Sequence, residues 1–65
     1  MISKETDIIK IIENNYSDFS KRQRLIADFI VNHFDKAVYM TASQLGENAG
    51  VSESTVVRFA AELGF

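Results

Sequence analysis

The sequence predicts an all-α fold, a small bundle of four to five helices containing a helix-turn-helix, and three observations predict it. Apolar residues recur at three- and four-residue spacings along most of the chain, the signature of helices with one buried face. Side chains able to cap a helix precede several of these runs. There is no proline, and the three glycines, Gly46, Gly50 and Gly64, all lie in the last third. Little therefore interrupts helix formation before Gly46.

The first helix is predicted over Lys4 to Asn14. Ile8, Ile12 and Tyr16 share one face, with Ile11 adjacent and Ile9 turned away. That face is expected to pack within the domain, and Ile9 leaves an apolar surface available to a second copy. Asn14-Asn15 and Ser17-Asp18 then interrupt the pattern with turn-forming residues. Ser20 opens the clearest helix, with Gln23 three residues on to complete a capping box. Its apolar face is Arg22 (through its methylene stem), Leu25, Ile26, Phe29, Ile30 and His33, which makes it the expected centre of the core. Residues 35 to 40 read as a short helical turn, with Phe34 and Tyr39 as core or rim aromatics.

Residues Thr41 to Gly64 read as two short helices broken at Asn48-Ala49-Gly50-Val51. Thr41 with Gln44 makes a second capping box, and Ser52 can cap the next helix. Met40 and Val51 each stand five positions before an apolar partner, Leu45 and Val56, the spacing of a hydrophobic staple. The first of these helices turns Ala42, Leu45, Gly46 and Ala49 to one side. The second turns Val56, Phe59, Ala60 and Leu63 inward. Gly50 supplies the left-handed residue that a sharp turn requires. Two helices joined by such a turn make a helix-turn-helix, whose second helix enters the DNA major groove. An ordinary helical hairpin would share the pattern, but its solvent face would more often alternate Glu and Lys. Here the outward stripe is Ser54, Val57, Arg58 and Ala61.

Gly46 admits two readings. A glycine inside a helix costs about 0.5–1 kcal/mol relative to alanine, so Gly46→Ala would stabilise a roomy site. A tight crossing of the two helices would instead demand a residue without a side chain.

These residues carry a family resemblance. Ala49-Gly50-Val51-Ser52, Thr55-Val56-Val57-Arg58-Phe59 and Leu63-Gly64-Phe65, with Ile26-Ala27-Asp28-Phe29-Ile30 and Met40-Thr41 upstream, resemble the N-terminal domain of the RpiR family of bacterial transcriptional regulators. The likeness covers roughly residues 19 to 65 and departs at Gly46, where such motifs usually carry alanine. It implies a DNA-binding domain acting on genes of sugar or phosphosugar metabolism. It also implies that residues 1–65 are the N-terminal part of a longer regulator. A phosphosugar effector would then act through a C-terminal domain that is not part of this sequence.

In that role Ser52 would hold a phosphate while Glu53, Ser54, Val57 and Arg58 face the bases. Arg58 could take guanine, Glu53 a cytosine amino group and Val57 a thymine methyl. Thr41, Ser43 and Gln44 would hold the backbone. Lys21, Arg22 and Arg24 form the one dense basic cluster and are candidate phosphate contacts. They stand at a helix start, where the dipole disfavours positive charge.

Composition bounds the alternatives. A chain of 65 residues supports one domain with a small core. With no cysteine, neither disulfides nor thiolate metal sites can reinforce it. His33 lacks a partner at metal-ligand spacing and reads as a helix-end residue, so no metal or cofactor is expected. No glycine-rich phosphate loop, HExxH or paired nucleophile and base points to an enzyme. The isoleucine-rich N-terminus is broken by charges and is neither a secretory signal nor a membrane span. The expected setting is cytoplasmic.

The net charge of −2 runs against DNA binding by a lone copy, since phosphate neutralisation supplies most non-specific affinity. Residues 41 to 65 hold one base, Arg58, against Glu47, Glu53 and Glu62. A homodimer or higher oligomer on double-stranded DNA is therefore expected. The competing reading is a small helical protein–protein module without a DNA target.

Overall fold

Capping and periodicity place the elements close to where the sequence predicts them. A computed structural model describes residues 4–64. Helix α1 runs Lys4–Asn15, and a 3-10 turn, Tyr16–Asp18, follows it. Then come α2 (Lys21–Asn32), the one-turn α3 (Phe34–Ala37), α4 (Ala42–Ala49) and α5 (Glu53–Glu62). There is no strand among the described residues. Phe65, the last residue of the Leu-Gly-Phe ending, lies outside them.

Both capping boxes form. The Ser20 hydroxyl accepts from the Gln23 amide at 3.2 Å while Gln23 Oε1 accepts from the Ser20 amide at 2.8 Å. Thr41 and Gln44 repeat the arrangement at 3.1 and 3.0 Å. Each pair satisfies two amides that the first helical turn leaves without partners. The Ser52 hydroxyl accepts from the Thr55 amide at 3.3 Å and so starts α5.

The core is built where α2 packs against both α4 and α5. Ile12, Ile26, Ala27, Val56 and Phe59 are its buried residues, each 5 % exposed or less. Each large member adds about 1.5–3 kcal/mol by leaving water. Ile8 and Tyr16 pack against this cluster from the face of α1 that carries Ile12, whereas Ile9 is half-buried outside it. Phe19 stands edge-on to Phe59 with ring centres 5.0 Å apart, and Tyr16 edge-on to Phe19 at 6.1 Å. The aromatic line thereby carries the 3-10 turn onto α5.

Three side chains differ from the face predicted for α2. Leu25 is 43 % exposed, and both Arg22 and His33 are exposed. Ala27, which the apolar pattern does not include, is fully buried instead. Ala27 lies in the buried cluster with Ile12, Ile26, Val56 and Phe59. His33 ends α2, its ring 4.9 Å from that of Phe29, as a helix-end histidine should. Tyr39 is 87 % exposed and belongs to the surface, while Phe34 is half-buried.

The turn between α4 and α5 settles the question of Gly46. Gly50 adopts φ +82°, and the amides of Gly50 and Val51 both donate to the Gly46 carbonyl, at 2.8 and 2.9 Å. This wraps the chain over the buried Gly46. A Cβ there would stand 2.7 Å from the Val51 carbonyl oxygen and 3.3 Å from the Ser52 carbonyl. Both obstacles are backbone and cannot swing aside as a side-chain tip would.

Two outcomes follow for stability. Gly46→Ala gains about 0.5–1 kcal/mol of helix propensity but incurs about 1–3 kcal/mol of overpacking. A net loss of up to about 2.5 kcal/mol should appear as a lower melting temperature, and a rise would show that the turn relaxes freely. Ser52→Ala removes the α5 cap and should cost about 1 kcal/mol in denaturant titration. An unchanged midpoint would mean that Ser54 or Thr55 replaces it.

Candidate nucleic-acid interface

Because Val56 and Phe59 are drawn inward, helical geometry turns Glu53, Ser54, Val57, Arg58 and Ala61 outward. These five line one open, shallow surface. Val57 is 56 % exposed at its centre, so an apolar methyl pair is displayed between a carboxylate, a hydroxyl and a guanidinium. Such a mixed face offers a donor, acceptors and an apolar contact within two helical turns.

Arg58 could instead have been spent on an ion pair with Glu62 along the helix. The Glu62 carboxylate accepts a hydrogen bond from Gln23 Nε2 of α2. Glu62 also takes no part in lining the outward surface. Gln23 thus serves twice, its oxygen capping α2 and its nitrogen holding the end of α5.

At the start of α5, Ser52 Oγ lies 2.8 Å from Thr55 Oγ1 and 3.1 Å from Ser54 Oγ. The three hydroxyls form one local network above the first turn. At the start of α4, Thr41 and Gln44 are committed to each other by the capping box. Gln44 keeps its side-chain NH2 as a donor, and Thr41 keeps its hydroxyl proton. Ser43 is exposed beside them.

The basic cluster divides. The Arg24 guanidinium stacks over the Tyr16 ring, 5.2 Å from its centre, and Nη2 donates to the Ser17 carbonyl at 3.3 Å. The Tyr16 hydroxyl in turn donates to Asp28 Oδ1 at 3.0 Å. This bond is the main reason why the phenol's pKa is raised, with desolvation and the Asp28 charge adding to it and Arg24 opposing. Arg24 is therefore built into the junction between the 3-10 turn and α2. Arg22 lies elsewhere, lining a shallow cleft with Gly46, Gly50, Val51 and Ser52. Lys21 is exposed. The Arg24 clamp could not be read from spacing, because a non-helical turn separates Tyr16 from α2.

A second, wholly apolar cleft is lined in part by Ile8, Ile30, Phe34, Val38, Ala60 and Leu63, none of which stands on the outward face of α5. Among the described residues no group of three or more His, Cys, Asp or Glu could hold a metal ion. None of the described helices is long and apolar enough to cross a membrane.

Comparison with known proteins identifies the family. The family described as helix-turn-helix domain, rpiR family, matches residues 6–65. An uncharacterised helix-turn-helix-type transcriptional regulator of Escherichia coli K12, YfhH, is 35 % identical over 54 residues, covering 83 % of this chain and 19 % of that protein. A similarly described regulator of Thermotoga maritima is 37 % identical over 59 residues, covering 89 % of this chain and 21 % of its own length. One of Clostridium perfringens is 29 % identical over 58 residues, with coverage of 89 % and 21 %. The chain thus spans about a fifth of the length of these relatives. No solved structure matches it. With its two capped helices, its glycine-closed turn and the match over residues 6–65, the chain belongs to the rpiR family of helix-turn-helix domains, a DNA-binding regulator type and not an enzyme.

Proposed function

We propose that residues 1–65 form a single DNA-reading domain, with its motif over residues 41–64, at the N-terminal end of a longer cytoplasmic transcription regulator. The observation that carries this reading is the outward face of α5, where Val57 and Arg58 stand exposed between Ser54 and Ala61. Matches to about a fifth of three proteins named as transcriptional regulators support it. Helix α5 lies in the major groove. Arg58 donates to guanine O6 and N7, Val57 meets a thymine methyl, and Glu53 accepts from a cytosine amino group. Ser54 adds a hydroxyl to the same face. Thr41, Ser43 and Gln44 at the start of α4, with Ser52 at the start of α5, hold the sugar-phosphate backbone. The target genes belong to sugar or phosphosugar metabolism, and a phosphosugar signal arrives through a domain beyond this sequence.

The test begins by selecting an operator from a random duplex library. Arg58→Ala should leave folding intact and cost about 1–3 kcal/mol on the selected site while sparing random DNA. Equal losses on both would make Arg58 a phosphate contact. Absence of any salt-dependent binding would favour a protein–protein module.

The net charge of −2 motivates a second part of the proposal, that the chain recognises DNA properly only when two copies are joined. A single copy neutralises few phosphates, so its sequence-independent affinity is small. Two recognition helices about 34–36 Å apart share one face of the duplex, and linkage makes the second contact intramolecular. Fusing a dimeric coiled coil after Phe65 should tighten binding to a two-half-site operator by about tenfold or more. Binding to one half-site should barely change. Nanomolar binding of a half-site by the unfused chain in physiological salt would overturn the argument from charge.

A further inference from the structure

We propose that Arg22 is the charged contact of this domain to the DNA backbone on the turn side of the groove, beside Ser52, and that its neighbour Arg24 makes none. The inference rests on the DNA-reading role given above and assigns the basic cluster within it. Lys21, Arg22 and Arg24 look equivalent along the chain, but the fold gives the two arginines different surroundings. Arg24 is held over Tyr16 and donates to the Ser17 carbonyl, on the side of α2 that faces the 3-10 turn. Arg22 points to the other side, where it shares a shallow cleft with Gly50, Val51 and Ser52.

Those three residues lead directly into Glu53 and Ser54 of the outward face. Recognition helices contact bases with their N-terminal residues, so the segment entering α5 travels beside a phosphate ribbon. Arg22 is the side chain from α2 that accompanies it. The start of α4, with Thr41, Ser43 and Gln44, lies at the far end of that helix. Eight residues at 1.5 Å each separate the two ends by about 12 Å. The major groove of B-DNA is about 12 Å wide. Helix α4 is thus long enough to reach between the two ribbons, with hydroxyls and an amide at one end and Arg22 at the other. Glu47 lines the same cleft, so without Arg22 the turn would present only negative charge to the phosphates.

The experiment is the salt dependence of binding to a mixed-sequence duplex, which needs no operator. Each neutralised phosphate contributes about 0.9 to the slope of log affinity against log salt. Arg22→Ala should flatten the slope by about that amount with an unchanged melting temperature. Arg22→Lys, which keeps the point charge, should restore it. Arg24→Ala should leave the slope alone and lower the melting temperature by about 2–8 °C through loss of its stacking on Tyr16. A wild-type slope retained by Arg22→Ala, or a slope flattened by Arg24→Ala instead, overturns the assignment. A wild-type chain with no salt-dependent binding sinks the DNA-reading role itself, and the assignment with it.

Discussion

The contact on which the rest of this domain depends is the approach of the Val51 and Ser52 carbonyls to Gly46. It fixes how closely the chain leaving α4 folds back over that helix, and therefore where α5 begins. The separation is held from the inside by two amides donating to one carbonyl and by the left-handed Gly50. Nothing larger than hydrogen fits between. Whatever α5 reads, its angle to α4 is set by backbone meeting backbone, a contact with no rotamers through which to relax.

The remainder of the chain exists to hold that pair. Without cysteine or proline, and with a central buried cluster of five among the described residues, the domain draws its stability from economical double use of side chains. Gln23 caps α2 and holds Glu62 at the end of α5. Phe59 fills the core and receives the edge of Phe19, which brings the 3-10 turn with it. Tyr16 packs on the core with its ring, stacks under Arg24 and bonds to Asp28 with its hydroxyl. Each of these residues therefore ties its own element to another. Loss of one would loosen more than its own contact area suggests, because neighbouring contributions are not additive.

Much of this was legible in the sequence, and the physical reason is locality. Caps, staples and helical faces depend on residues three to five apart, so both capping boxes, the Gly50 turn and the outward face of α5 follow from spacing alone. What spacing could not supply depends on partners brought together by the fold. The fates of Arg22 and Arg24, two positions apart, are decided by which surface of α2 meets the 3-10 turn. The burial of Ala27 and the exposure of Leu25 reflect how closely α2 meets its neighbours, a property of the whole packing. Gly46 was ambiguous for the same reason. Helix propensity is intrinsic to the residue, whereas the Val51 carbonyl reaches it only through the turn.

The thin positive charge of the reading face is itself informative about how such a domain would discriminate. Phosphate attraction raises affinity for every sequence alike, so it adds nothing to the ratio between an operator and the surrounding genome. In the proposed role, a face built from Val57, Ala61, Ser54 and a single arginine would place its contacts with the base edges, where each mismatch costs about 1–3 kcal/mol. With Glu53 among them and Glu47 beside the turn, non-specific binding is further disfavoured by repulsion from phosphate. The proposed role therefore entails a domain weak on random DNA and selective on its site. In that role, joining two copies adds base contacts and phosphate contacts together, which would recover affinity while raising the ratio between the operator and other sites.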